Sequence, residues 1–500
     1  MKYKNTDPQP PKLGGLGLED KRTDPQPPNL GGYGDKHTDP QPPNLGGLYM
    51  QCRDMINGHS AAVLNALREE AYANFCRMGF PSRKVERYRY TNMAELFEPN
   101  YGLNLNRLQF AVNPYDAFKC DVPNLSTQLF FMVNDMFWNA SGPALARGTA
   151  AAGGNGVLVC SLRQAAEEQP ELVRRYYGRL ATTGEHAETA LNTMLAQDGL
   201  LVYVPRGVQI EKPIQVINML ALPQSKPVQG EEPSLMVNRR VLIVMEEGAS
   251  AKLLFCDHTA DDHHFLTNQV IETFVGERAR LDLYCLEETH IKNVRVSNVY
   301  VEQQADSWLN HNIITLHNGI TRNMLNVALK GRGAECVCNG CAIADKHQHI
   351  DNNTLIDHQA AGCTSRELYK YVLNDESTGA FAGRVLVRPD AQQTSSEMRN
   401  QNLCASRQAR MYTQPMLEIY ADDVKCSHGS TVGQLDEAAL FYMRQRGISE
   451  QEARQLLQQA FLGEVIDNIL LEPLRDRLRY LVEKRFRGEL NKCEGCKLCR

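Results

Sequence analysis

The chain has 500 residues, 42% of them hydrophobic and 23% charged, with a net charge of −5. That balance calls for neither nucleic acid nor an anionic membrane as principal partner. No run approaches the roughly 18 apolar residues of a membrane span, and the N-terminus is too rich in Pro, Gly and Asp for a signal peptide, so a cytoplasmic protein is expected. Fifteen cysteines without an export signal argue for free thiols or metal ligands rather than a disulfide framework. Cys76, Cys120, Cys160, Cys256 and Cys285 read as small buried hydrophobes.

Residues 1–49 hold one unit three times, Thr-Asp-Pro-Gln-Pro-Pro-x-Leu-Gly-Gly, beginning at Thr6, Thr23 and Thr38. Each unit has one leucine among helix and ladder breakers and cannot bury enough apolar area to offset its ordering entropy. A disordered arm is expected, with a Pro-rich docking ligand as the functional alternative. Folded sequence is expected near Ser60, which would cap a helix carrying Val63, Leu64, Leu67, Ala71, Phe75 and Met78 and ending at Gly79. The aromatic and basic run Glu86-Arg87-Tyr88-Arg89-Tyr90-Thr91 reads as a packed surface loop, since a nucleic-acid strand would want a basic domain around it. Residues 50–195 form a mixed region, with helices over 164–180 and 188–194 and a strand over 156–160.

From about Leu200 the period shortens. Strands are expected over 200–208, 213–217 and 240–245, and further ones open at Ala249, Ala279, Ala305 and Ala334, spaced by roughly 26 to 30 residues. Short strands, Gly and Asn turns and a rung-sized repeat over 196–433 favour a β-solenoid, with a sandwich as the alternative. Within it, His347 to Thr354 fit corner and ladder positions. Residues 434–487 read as helices: Asp436 to Arg446 closed by Gly447, a second opened by the capping box of Ser449 and Glu452, then Val465 to Leu471 and Leu474 to Phe486 around Pro473. Their apolar stripe could dock a partner or pack back on the β body.

Several clusters could carry chemistry. Cys426 and His428 are two apart in a strand, so they share a face and could reach one metal ion. The tail at 488–500 places Cys493, Cys496 and Cys499 at C-x-x-C-x-x-C spacing, three donors for zinc or an iron-sulfur cluster that lack a fourth. Cys336, Cys338 and Cys341 read as stacked interior residues. His258, His263 and His264 could serve a hydrolytic metal, although the helical H-E-x-x-H geometry is missing. No P-loop, nucleophile elbow or dinucleotide fingerprint occurs, so any ATP must come through a partner.

The stretch from Pro415 to Asp436, with Asp422-Asp423-Val424-Lys425-Cys426-Ser427-His428-Gly429 at its centre, resembles the SufB/SufD family of the SUF iron-sulfur cluster assembly system, on its SufD side. So do residues 198–208, Glu211 to Ile214, Glu246 to Ala249 and Glu86 to Thr91. The resemblance implies a mainly β chain: a right-handed parallel β-helix core flanked by an N-terminal α/β region and a C-terminal helical domain. It also implies a non-enzymatic scaffold that pairs with a SufB-like paralogue and a SufC-like ABC ATPase, the latter on the C-terminal helices. A transient iron-sulfur cluster would be built at the subunit interface, with His428 as a ligand and Cys426 as a supporting candidate. The paralogue's sulfur-accepting cysteine falls on Asn400 here, with Cys404 nearby. A homodimer of the isolated chain is compatible with this picture. The rival readings are a metal-dependent β-solenoid hydrolase and a structural adaptor whose cysteine tail binds zinc. The repeat arm and the tail lie outside the resemblance.

Overall fold

The computed structural model describes residues 44–108, 114, 126–138, 156–222, 233–259 and 262–489. The repeats before Asn44, Cys120 and the cysteine tail lie outside the described residues.

Nineteen strands are described: β1 Gln128–Val133, β2 Met136–Trp138, β3 Leu158–Ser161, β4 Leu200–Val204, β5 Ile214–Leu220, β6 Ser234–Met245, β7 Ser250–Thr259, β8 His264–Val275, β9 Arg280–Glu288, β10 Val294–Gln303, β11 Trp308–His317, β12 Ile320–Leu329, β13 Glu335–Ala344, β14 His349–His358, β15 Thr364–Leu373, β16 Thr378–Val387, β17 Thr394–Cys404, β18 Arg410–Ile419 and β19 Val424–Gly433. Even-numbered strands from β4 to β18 form sheet A with β3, and odd-numbered strands from β5 to β19 form sheet B with β1 and β2. Among β4 to β19 themselves every pairing is parallel and between strands two apart in sequence, the signature of a solenoid in which one A strand and one B strand make each turn; β3 and β1 join β4 and β5 at the near end. About seven turns stack from β6/β7 to β18/β19, which excludes the sandwich.

The turn after each A strand explains the regularity. At Gly207, Gly248, Arg278, Asp306, Gly333, Gly362 and Gln393 φ is positive, between 54° and 72°. Each of these residues donates its N–H to a carbonyl of the next turn, from Gly207 to Glu247 at 2.9 Å through to Gln393 to Asp423 at 2.6 Å. Glycine takes the left-handed region without strain, and a polar side chain tolerates it singly. The starts at Ala249, Ala279, Ala305 and Ala334 are these turns, and the strands they open all belong to sheet B.

Alternate residues of every strand point into the lumen, filled by one continuous apolar core that includes Val202, Ile243, Leu283, Leu325, Ile356, Tyr371 and Val385. The outer face of sheet A is covered by the N-terminal region: α1 Leu45–Gly58, α2 Ala62–Asn65, α3 Arg68–Met78, α4 Met93–Phe97, α5 Leu162–Glu168, α6 Pro170–Tyr176 and α7 Ala187–Leu195. Helix α1 starts inside the third repeat, capped by the Asn44 side chain, so ordered structure begins before Ser60. Ser60 is not a helix cap. Its hydroxyl accepts from Arg68, a residue 1% exposed whose guanidinium satisfies the Met194 and Ala196 carbonyls at the end of α7 (2.8 and 2.6 Å). The expected single helix breaks between α2 and α3 to make that contact possible. Pro170 splits the helix expected over 164–180. Glu272 of β8, wholly buried, accepts from Arg240 (2.6 Å) and from the N–H groups of Gly178, Leu180 and Ala181, tying the loop after α6 to sheet A.

The C-terminal helices are α8 Glu437–Gln445, α9 Glu450–Asp467 and α10 Glu472–Phe486. Ser449 caps α9 as expected, and Asp436, expected as the first residue of the preceding helix, is the cap of α8. Val465 and Ile466 belong to the end of α9 rather than to a separate helix, and Pro473 sits in the first turn of α10. The apolar stripe packs back on sheet B: Leu462, Val465, Leu474 and Leu478 meet Ile314, Cys341, Leu368 and Val372. Lys370 bonds the Phe461 carbonyl at 3.1 Å and Glu464 at 2.6 Å, and Arg485 bonds the Leu316 carbonyl and Asp345. Phe441 and Tyr442 on α8, with Leu456 and Tyr480, stay exposed.

Candidate functional site

The two sheets end together. Strand β19 pairs only with β17 and β18 only with β16, so among the described residues the last turn presents two ten-residue strand edges with no further neighbour. Interior strands such as β10 are buried along their length, whereas β18 and β19 are mostly intermediate or exposed. Tyr420 (63% exposed), Val432 and Ile419 add apolar surface there. An open edge of this length is a template for another strand.

Cys426 and His428 lie on β19 with the same facing, as their spacing requires. Cys426 is half-buried against the lumen core, and burial raises its thiol above the ordinary value; His428 is exposed. Their ladder positions continue two interior columns. Cys426 follows Cys336, Ser365 and Ser396; His428 follows His311, Cys338, Glu367 and Met398. The lumen is therefore not uniformly apolar beneath the open end. Ser365 and Ser396 share a hydrogen bond at 2.8 Å, and His358 bonds Ser365 at 2.9 Å. The Cys336 and Cys338 sulfurs are 3.3 Å apart, and that hydrogen bond, with burial, lifts the Cys338 thiol. Burial pushes His311 down to about 4 and Glu367 up to about 7. Glu367 has no well-aligned partner on either oxygen among the described residues, and the nearby Thr354 hydroxyl offsets little of the burial penalty. Burial thus favours the neutral forms of His311, Cys338 and Glu367, and the exposed end of the column is His428. No sequence signal marks His311 and Glu367, because their alignment with His428 appears only once the register is known.

Asn400 is wholly buried, donates to the Tyr369 carbonyl at 3.2 Å, and bonds Asn402; Cys404 is half-buried with its thiol raised by burial. Cys160, Cys256 and Cys285 are buried as expected, but Cys76 is exposed on α3, so its reading as a core residue is corrected. His258 is the next-to-last residue of β7 and His264 opens β8, where its Nε2 lies 3.2 Å from the Tyr101 hydroxyl. Among the described residues no three His, Cys, Asp or Glu side chains are grouped to hold a metal ion. The histidines of the hydrolase reading do not converge, and Cys426 with His428 offers at most part of a coordination set.

The fold defines the class of protein: a parallel β-solenoid with helices packed along one sheet and an open last turn. Comparison with known proteins narrows this. Residues 42–216 match the SufBD protein N-terminal region, and residues 228–461 match the SufBD core domain of SUF system FeS cluster assembly. The chain belongs to the SufBD family of iron-sulfur cluster assembly proteins. It is 26% identical over 446 residues to a SufBD family protein of Synechocystis, covering 86% of this chain and 93% of the relative. It is 29% identical over 310 residues to the iron-sulfur cluster assembly protein SufD of Escherichia coli, covering 60% and 69%. A SufBD family protein of Mycobacterium leprae is 29% identical over 339 residues, covering 66% and 83%. Among the described residues no helix is long and apolar enough to cross a membrane.

Proposed function

We propose that this chain is a non-enzymatic scaffold subunit of SUF cluster assembly, of the SufD type. It pairs through the open end of its solenoid with a SufB-like paralogue. A nascent iron-sulfur cluster, the cargo of the complex, is built at that interface. The observation that carries the reading is the coincidence, in one terminal turn, of two unpaired strand edges with Cys426 and His428 on a shared face.

The chemistry is consistent with cargo meant to leave. An exposed imidazole supplies one exchangeable iron ligand. Cys426, its thiol raised by burial, needs a cation nearby before it offers a thiolate, so it supports rather than initiates binding. Asn400 offers no thiol, which leaves sulfur delivery to the partner. A SufC-like ATPase would dock on the exposed side of the C-terminal helices, where Phe441 and Tyr442 remain uncovered, and ATP would act only through it.

The test is reconstitution of the chain with SufB-like and SufC-like subunits under anaerobic conditions, with iron, sulfide and the visible cluster spectrum measured. His428→Ala is expected to reduce cluster yield severalfold while leaving circular dichroism, thermal midpoint and co-purification unchanged. Wild-type cluster yield from that variant would remove His428 from the site.

A further inference from the structure

The aromatic and basic run Glu86 to Thr91 lies along the outer face of sheet A and joins distant turns. One part is rooted in the middle of the solenoid. Tyr88 donates to Glu188 at 2.8 Å and meets His186 Nδ1 at 2.9 Å. The Arg322 guanidinium of β12 lies 4.6 Å over the Tyr88 ring and donates to the Arg87 carbonyl at 2.6 Å. Thr91 donates to Asp351 of β14 at 2.6 Å, and the same carboxylate pairs with Arg322.

The other part reaches the terminal turn. The Tyr90 ring stacks on Tyr412 of β18, with centroids 4.7 Å apart and planes 17° from parallel, and Gln414 donates to the Glu86 carboxylate at 2.7 Å. In the ladder between Asp351 and Tyr412 stands Ala380, wholly buried, so the outer face is low where the run crosses it. On the inner side of β18, the Thr413 hydroxyl meets Ser430 of β19 at 2.6 Å, two residues from His428. A terminal turn has a neighbour on one side only, and in a stacked array that is where local opening is easiest.

We infer that Glu86 to Tyr90 is a clasp that holds the terminal turn in place, with Glu86 and Tyr90 as positioning residues for the edge that carries His428. The clasp itself follows from contacts within this chain; its use in pairing rests on the function proposed above. The anchored half, Tyr88 and Thr91, fixes the run, and Tyr90 and Glu86 transmit that fixity to β18 and, through Thr413 and Ser430, to β19.

Hydrogen exchange of the full chain, followed by mass spectrometry of peptides over 410–419 and 424–433, tests it without a partner. Tyr90→Ala is expected to raise exchange in both segments about tenfold, in keeping with the loss of a stacked aromatic pair, and to leave β10 through β14 unchanged. Tyr90→Phe keeps the ring and should restore wild-type protection, and Tyr412→Ala added to Tyr90→Ala should cost little more. Unchanged exchange in folded Tyr90→Ala overturns the proposal. So does a rise spread evenly over all turns, or a Tyr90→Phe variant as exposed as Tyr90→Ala. Should Tyr90→Ala fail to fold, Glu86→Ala at an exposed position removes only the bond to Gln414 and is read in the same segments. Association with a SufB-like subunit, measured in parallel, should weaken severalfold with the local loss of protection. Local loss with unchanged association would overturn the pairing role of this edge while leaving the clasp standing.

Discussion

Replacing the buried carboxyl of Glu367 by an amide should make the protein more stable in alkali and leave it unchanged in acid. In the unfolded chain this carboxyl ionises near 4.5; in the lumen it ionises near 7, because burial penalises the charged form. Between those values the native protein holds a proton that the unfolded chain has lost. Stability therefore falls as pH rises through that window and is fully present only below the unfolded value. At about 1.4 kcal/mol per pH unit, the gap amounts to about 3 kcal/mol by pH 8. Glu367→Gln carries no ionisation, so its stability should exceed wild type by about 2 to 3 kcal/mol at about pH 8 and match it at about pH 4. Glu287, also held near 7 by burial, titrates in the same window in both proteins, so the difference between them isolates Glu367. Urea unfolding followed by circular dichroism across this range measures it. Parallel pH profiles for the two proteins would refute the account of Glu367 as a proton-bearing group buried in the lumen.

Glu272→Gln should cost about 3 to 5 kcal/mol by leaving the Arg240 guanidinium buried against a neutral partner, read as a lowered urea midpoint. Gly331→Ala should be among the most damaging small substitutions, since its Cβ would overlap the Ala305 backbone nitrogen; loss of soluble folded protein is the expected readout. With a thiol reagent and peptide mapping of the native chain, Cys76 should react well before Cys285, Cys338 and Cys341, which are buried and whose thiols are raised.

What the sequence made legible follows from where each signal is local. The turns before β7, β9, β11 and β13 repeat in composition because each must place one residue in the left-handed region, so their spacing revealed the stacked units. The A strands start from a different corner, with Asn293, Gly319 and Gln348 in dissimilar settings, and left no repeat to find. Ser60 looked like a helix cap because the contact that displaces it, Arg68 against the end of α7, spans well over a hundred residues. The shared face of Cys426 and His428 could be read from period alone. That β19 is the last turn, and that His311 and Glu367 lie in column with His428, depends on register between strands far apart in the chain. The run at Glu86, expected as a packed surface loop, packs on the body but contains a short 3-10 turn over Glu86–Tyr88, and nothing in it points to Tyr412 and Gln414, more than three hundred residues away.

The chain of turn hydrogen bonds from Gly207 to Asp423 makes the solenoid a ruler. Each turn adds one strand spacing, about 4.8 Å, so the stack from β6 to β18 sets the open end roughly 29 Å from the first full turn. Because the helices α9 and α10 are fastened to fixed rungs through Lys370 and Arg485, a relative with one turn more or fewer would keep the same end chemistry. It would move His428 by a whole strand spacing against those helices. In the assembly proposed above, the count of turns would be a dimension, and a pair of such subunits would align both their ends and their helices only when their counts agree.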